Sequence, residues 1–408
     1  MLTLIHLGDF HATADARNVD RFRVLDQIIS DRRKPAVGGW PEQLGAWLWP
    51  GDLNGPIGRA LTVENRNALA DRLLLMADLA PVLIVPGNHD QKDDLEIFGK
   101  LKATFPIHVV TTPCTQRICL ATGAYATVFF LPYPTRVDES LEGAFDAAAL
   151  ALKRARAEGD LTFMIGHVNV RGAVMSTGQP AIGHEVEITT EQLDRLGSMP
   201  KLLNHIHKPQ EIGGAHYAGS LCRLSFGEIE EKRYLVVECD HAMNCGHLMW
   251  RYRVRSVPIQ IPPMYHVSGA INRSAFLWNV TDGPDGAVLG PPESWIGTEV
   301  RVRYTYQQSE LSVLGDHQAR VRAEFAGANR IVLEPVMSPD RAVRAPAVAL
   351  AKTLAAKVEA WAEVAGVTAS ERVLAKLQRL EQTDPVQLVN AVQEEVRQME
   401  TEDEEVMV

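Results

Sequence analysis

Eight side chains able to hold a metal ion, or to work beside one, fall in five short motifs. They are Asp9 and His11 in GDFH, Asp52 in PGDLN, Asn88 and His89 in PGNHD, His167 in GH, and His205 with His207 in NHIH. Side chains two apart on an extended segment point the same way, so Asp9 can act with His11 and His205 with His207. Imidazole and carboxylate donors without thiolate suit Mn(II), Fe(II), Zn(II) or Co(II). Two such ions need about seven protein ligands and one bridging carboxylate. Asp52, alone in its motif, is the natural bridge. A pair of ions about 3.5–4 Å apart can bind one phosphate and lower the pKa of a water between them from ~15.7 toward ~7. A metal-activated hydroxide can then attack phosphorus in line with the departing oxygen. The departing alkoxide needs a proton, and His89, next to Asn88, is suited to supply it. Each motif alone has a plainer reading: a turn for GD, a helix N-cap for GNHD, a packed residue for a single histidine. All five in this order point to one composite metal site.

Five segments must bring these residues together. The first ~255 residues repeat a short apolar run, a polar tip and a helical stretch. Apolar runs over 2–7, 46–49, 82–85, 163–165 and 202–203 each end at one of the motifs, and 128–131 ends in PYP. Helical spacing marks 19–33, 62–79 and 140–158. Polar tips past strand ends are where an α/β sheet gathers its ligands. From about 217 the pattern turns to strands. A further strand, helix and strand over 300–336 suggest a small β-α-β module, and Ala-rich helical sequence then runs to the end with a break at Thr383–Asp384–Pro385.

The 408 residues carry 51 acids and 41 bases, a net charge of −10. That length fits two or three domains, and the composition is that of a soluble globular protein. The acidity argues against a general nucleic-acid coat protein, but it is unevenly spread. Residues 346–408 hold 6 bases and 12 acids, leaving 35 bases and 39 acids for 1–345. The catalytic region is therefore near neutral and open to DNA. Five sparse cysteines, no signal-peptide pattern and no long apolar run give the expectation of a cytoplasmic protein without a membrane span.

The ordered motifs D-x-H, GD, GNHD, GH and H-x-H resemble the calcineurin-like metallophosphoesterases. LPYP at 131–134, EVEITTEQLD at 185–194, HIHKPQ at 205–210 and YAGSLCRLSFGE at 217–228 are similar to the SbcD-type nuclease subunits within that group. The resemblance is strong over about 1–255. It implies an α/β fold: a four-layer sandwich of two mixed β-sheets flanked by helices, with a small α+β capping domain and C-terminal helices. The implied division is a nuclease domain at 1–258, a DNA-binding cap at 262–340, an ATPase-binding helical segment at 346–400 and an acidic tail at 401–408. Carried over by position, Asp9, His11, Asp52 and His207 would hold one metal, and Asp52, Asn88, His167 and His205 the other. His89 would be the catalytic histidine and Mn(II) the usual metal. The implied activity is 3′→5′ exonuclease and single-strand endonuclease action on DNA in repair and recombination. The implied partner is an SbcC-like coiled-coil ATPase, in a heterotetramer built on a homodimer. Two positions depart from the family pattern, Asn54 after GDL and Asn204 before HIH; neither is a ligand, and substrate contacts near Asn54 could differ.

Other features are weighed against plainer readings. CDHAMNCGH at 239–247 could suggest zinc, but its spacing is tight and it falls where a hairpin turn is expected. Arg251, Arg253 and Arg255, with Arg301 and Arg303, form rows suited to DNA phosphates or to a solvated strand face. The helix at 62–79 and the segment at 94–101 read as core packing against the sheet, and the resemblance implies a dimer interface there. Leu350, Leu354, Val358 and Trp361, then Val373, Leu377 and Leu380, form apolar stripes for self-packing or for a partner. His6, His108, His184, His216, His266 and His317 lack ligand spacing and read as structural or exposed. Two other functions stay open: a phosphodiesterase or phosphatase of the same fold acting on other substrates, and a non-catalytic scaffold for the ATPase.

Overall fold

A computed structural model describes residues 1–15, 17–33, 43–134, 139–175, 186–226, 228, 230–244, 247–272, 275–282, 294–338, 346–382, 384 and 387. His184, Cys245 and the acidic terminus 401–408 lie outside the described residues. The chain begins β1 (Leu2–His6), α1 (Arg17–Arg33), β2 (Gln43–Trp49), α2 (Val63–Ala77), β3 (Val82–Ile84), α3 (Lys92–Glu96) and β4 (Ile107–Val109). There follow β5 (Cys114–Cys119), β6 (Tyr125–Leu131), α4 (Glu139–Ala157), β7 (Leu161–His167), β8 (Asn169–Val170), β9 (Glu187–Ile188), α5 (Thr190–Arg195) and β10 (Lys201–Asn204). Next come β11 (Gln210–Ile212), β12 (Ala215–Tyr217), β13 (Arg233–Asn244) and β14 (His247–Pro258). The remainder is β15 (Met264–Asn272), β16 (Ala275–Asp282), β17 (Glu299–Gln307), α6 (Leu314–Glu324), β18 (Arg330–Ser338), α7 (Pro346–Leu350), α8 (Leu354–Ala365) and α9 (Glu371–Gln382).

Two six-stranded mixed sheets carry the first 258 residues, in the orders β14-β13-β1-β2-β3-β4 and β11-β12-β10-β7-β6-β5. β1 to β4 run parallel, as do β6, β7, β10 and β12. Antiparallel strands close the edges through β13–β14, β5–β6 and β11–β12. Strands buried on both faces read as continuous apolar runs, and LTLIH, AWLW, VLI and TFMI do so. Leu4, Leu48, Leu83, Phe130, Phe163 and Leu202 form an apolar cluster drawn from both sheets. Phe22, Leu25 and Ile28 of α1, with Leu69, Leu73 and Met76 of α2, pack on Ile5, Trp47 and Trp49 of the first sheet. Phe145, Ala148 and Leu152 of α4 pack on Phe129, Met164 and Leu203 of the second. α2 starts where Thr62 caps it, its side chain accepting from Asn65 N at 3.2 Å.

The strand, helix and strand expected over 300–336 are present as β17, α6 and β18, a β-α-β unit. An antiparallel hairpin, β15–β16, precedes it, giving a four-stranded sheet in the order β16-β15-β17-β18. The chain divides into two compact units: Met1–Tyr304 with Gly315–Pro335, and Thr305–Leu314 with Val336–Val408. In the second, Thr353 caps α8 by accepting from Ala356 N at 3.1 Å, and Gly366 ends it in the left-handed conformation. Leu350, Leu354, Trp361, Val373 and Leu380 of the apolar stripes are exposed. Among the described residues, no helix is long and apolar enough to cross a membrane.

Candidate metal centre

All five motifs lie at or just past the C-terminal ends of parallel strands β1, β2, β3, β7 and β10. The backbone there is unusual. His11, Asp52 and His205 take positive φ values of 53°, 54° and 101°, a region non-glycine residues visit rarely and at a cost of about 1–3 kcal/mol each. Close hydrogen bonds hold them in it. Phe10 N and His11 N donate to Asp52 O at 3.0 and 2.9 Å, and the buried Arg21 guanidinium donates to His11 O. Close packing requires glycine at positions 51 and 87. A Cβ on Gly51 would lie 2.4 Å from His167 Nδ1, and one on Gly87 would lie 2.1 Å from Asp52 Oδ1.

The eight candidate side chains form one connected cluster. His11 Nε2 lies 3.1 Å from His207 Nε2 and 3.4 Å from Asp52 Oδ2. His167 Nε2 lies 3.4 Å from Asp52 Oδ1 and 3.0 Å from Asn88 Oδ1, which is itself 3.2 Å from His205 Nδ1. Asp9 Oδ1 lies 3.7 Å from His167 Nδ1, and the Asp9 carboxylate accepts from His205 N at 3.3 Å. His89 Nε2 lies 4.0 Å from Asp52 Oδ2, while His89 N donates to Asp52 Oδ1 at 3.0 Å. Two carboxylate–imidazole clusters, His11–Asp52–His89 and Asp9–Asp52–His167, share Asp52.

The electrostatics of the cluster suit cations. Burial pushes the pKa of His11 and of His167 well below the ordinary imidazole value, and that of His207 down to about 3. These rings are therefore neutral at pH 7 and offer lone pairs. Burial pushes the Asp9 carboxyl well above its usual range. His167 Nδ1 lies 2.7 Å from Pro50 O, an acceptor, so Nδ1 carries the proton. Its Nε2 then faces Asn88 Oδ1 and Asp52 Oδ1 lone pair to lone pair. Such a convergence of acceptors is stable when a positive charge sits among them, and the donor set of imidazole, carboxylate and amide oxygen is that of Mn(II), Fe(II) or Zn(II).

Sequence reasoning named His6, Asn54 and Asn204 without their partners and missed Asp90 and Tyr133. His6 Nε2 bonds Asn204 Oδ1 at 3.0 Å and Asn204 Nδ2 donates to Leu7 O at 3.1 Å, tying β1 to β10 across the two sheets. Asn204 is thus a brace directly before the HIH motif. Half-buried Asp90 accepts from Gly87 N and Asn54 N, each at 2.9 Å, and desolvation raises its pKa to about 6. The Asn54 side chain is buried and donates to Arg59 O at 2.6 Å, so it holds the 55–59 loop. The Tyr133 ring stands 5.4 Å from that of His205. CDHAMNCGH falls at the β13–β14 hairpin, with Cys239 buried and its thiol pushed up to about 12. Of the arginine rows, Arg251, Arg253 and Arg303 are exposed. Arg255 pairs with Glu238 at 3.0 Å and Arg301 pairs with Glu334.

Two large mixed sheets flanked by helices, with imidazoles and carboxylates gathered at strand ends, are consistent with a metallophosphoesterase-like protein. No family model matches the chain. The chain is similar to the SbcD component of the nuclease SbcCD of Bacillus subtilis (strain 168), at 26% identity over 263 residues, covering 56% of this chain and 63% of the relative. The match thus spans less than two thirds of that relative's length. It supports the SbcD-like resemblance read from the motifs.

Proposed function

We propose that this chain is a two-metal DNA nuclease of the SbcD type, a hydrolase acting in DNA repair and recombination with an SbcC-like ATPase. One observation carries the reading: Asp52 belongs to both carboxylate–imidazole clusters, as a bridging carboxylate must, while the same clusters set His89 beside His11 and Asp9 beside His167. Asp9, His11, Asp52 and His207 would hold one cation, and Asp52, Asn88, His167 and His205 the other. Two divalent ions, with Mn(II) the first choice, supply when bound the positive charge for a phosphodiester's oxygens and an acidified water as nucleophile. The chain's own residues do the rest. Burial keeps His11, His167 and His207 in their neutral, donor form. His89 Nδ1 donates to Gly55 O, so a proton for the leaving oxygen departs from Nε2 of the doubly protonated ring. Arg251, Arg253 and Arg303, exposed on β14 and β17, are available to DNA phosphates. Arg255 and Arg301 are engaged by Glu238 and Glu334 and are weaker candidates.

The same reading assigns a four-layer sandwich to 1–258, a DNA-binding cap to 262–340 and a partner-docking role to the exposed stripe through Leu354 and Trp361. It also assigns a homodimer within a heterotetramer. Similarity to a nuclease component favours DNA over other phosphodiesters. The test is degradation of linear duplex and single-stranded DNA with Mn(II), with and without the ATPase. The His89→Ala protein and a panel of cyclic nucleotides run alongside. Mn(II)-dependent DNA cleavage lost in His89→Ala is expected. Turnover of cyclic nucleotides without DNA cleavage would overturn the nuclease reading.

A further inference from the structure

Close to the metal centre lies a buried cation that belongs to no candidate ligand set. Lys232, just before β13, has a fully buried side chain. Its ammonium lies 2.6 Å from Glu228 Oε2 and 2.9 Å from Glu230 Oε1, and donates to Ser220 Oγ at 2.8 Å. Glu228 is fixed in turn by Leu224 N at 3.2 Å and Ser225 N at 3.1 Å. A buried ammonium persists only when paired and hydrogen-bonded, and this one uses all three of its protons.

Ser220 shows what the ion holds in place. It is the middle of a strap, Gly219–Leu221, whose backbone meets both halves of the centre. Asp9 N donates to Gly219 O at 3.1 Å, Leu221 N donates to Asp9 O at 2.9 Å, and Ser220 N donates to His207 O at 3.1 Å. Asp9 follows β1 of one sheet and His207 follows β10 of the other. The strap therefore spans from the D-x-H tip to the H-x-H tip. The fit is tight: a Cβ on Gly8 would lie 1.9 Å from Gly219 O, and one on Gly219, at φ +79°, would lie 2.5 Å from His207 O. Gly219 has wide conformational freedom, so the strap needs an anchor. The bond that Lys232 Nζ donates to Ser220 Oγ provides one.

We propose that Lys232 is a positioning residue for the metal centre: through Ser220 it fixes the strap that sets Asp9 against His207. It thereby sets the affinity of the centre for divalent cations. This rests on the two-metal reading of the site. The test is calorimetric titration of the metal-stripped full-length protein with Mn(II), with the melting temperature of the stripped protein measured in parallel. Lys232→Met strands buried Glu228 and half-buried Glu230 and can fail to fold; Ser220→Ala deletes only the hydroxyl anchor. Ser220→Ala is expected to bind Mn(II) ~10–100-fold more weakly, as for other groups that orient ligands from behind, while melting only a few degrees below wild type, because one ammonium proton loses its acceptor. The Mn(II) concentration for half-maximal DNA cleavage should rise, with the KM for DNA unchanged. Wild-type protein that takes up no Mn(II) would overturn the two-metal reading. Wild-type uptake with Ser220→Ala within twofold of it would overturn the positioning role and leave that reading intact. A Ser220→Ala protein whose melting temperature collapses, with KM rising too, would make the anchor merely structural and also overturn the role.

Discussion

Replacing Gly87 by alanine puts one methyl group where the proposed bridging carboxylate must sit. The new Cβ would stand 2.1 Å from Asp52 Oδ1, 2.6 Å from Asp52 N and 2.8 Å from His167 Cε1. Real Cβ contacts essentially never fall below 3.0 Å. Either Asp52 or the PGN turn must therefore retreat by about 1 Å, and two of the three obstructing atoms belong to Asp52 itself. Gly87 N also donates to Asp90 Oδ2 at 2.9 Å, which resists movement of the turn. A misplacement of about 1 Å in a reacting constellation costs on the order of 100-fold in rate. Disturbing the support of a metal ligand costs about 10–100-fold in affinity. Gly87→Ala should therefore bind Mn(II) at least ~10-fold more weakly and cleave DNA ~100-fold more slowly. Near-UV and far-UV circular dichroism should stay close to wild type, because the clash is confined to the turn. The assays are calorimetric Mn(II) titration and initial rates on linear DNA at saturating metal. Wild-type affinity and rate in a folded Gly87→Ala protein would refute the assignment of Asp52 as the shared ligand.

Three further outcomes follow from the same geometry. His89→Ala should keep its Mn(II) uptake yet lose about 10²–10⁴-fold in cleavage rate, the usual worth of a proton donor; loss of metal uptake would make His89 a ligand instead. Burial lowers the His6 pKa to about 3, so between about pH 6.5 and 3 the unfolded chain binds a proton there that the folded chain refuses. Stability is thus complete above pH 6.5 and falls on acidification, by up to about 1.4 kcal/mol per pH unit from this residue. Denaturant melts of His6→Gln should show a shallower acid slope than wild type. Replacing both Arg251 and Arg253 by alanine should weaken DNA binding evenly across sequences and reduce the salt slope by about 2; an unchanged slope would place those arginines off the DNA path.

Much of this site was legible from sequence because metal chemistry restricts residue type so severely. Asp, Asn and His at apolar strand ends have few other joint uses, and the five motifs lie at the ends of the strands expected to carry them. The elements that escaped carry weaker signals. β5, CTQRIC, bonds only to β6 at a sheet edge and shows no apolar run. β15, MYHVSGAIN, mixes Ser268, Gly269 and Asn272 among its apolar residues, so its period is blurred. The strained conformations of His11, Asp52 and His205 were invisible, because non-glycine residues give no sign of positive φ. Partners distant in sequence were hidden for a different reason. Nothing local announces that His6 will meet Asn204, 198 positions away. Nor does anything local announce that Lys232 will anchor a strap between Asp9 and His207.

The most direct measurement of the central claim is the Mn(II) stoichiometry and magnetic coupling of the metal-loaded protein, by elemental analysis and electron paramagnetic resonance. Two ions per chain with the spectrum of an exchange-coupled pair are expected, with Asp52→Asn abolishing the coupling. A single, magnetically isolated ion per chain, or no ion retained at all, would contradict it.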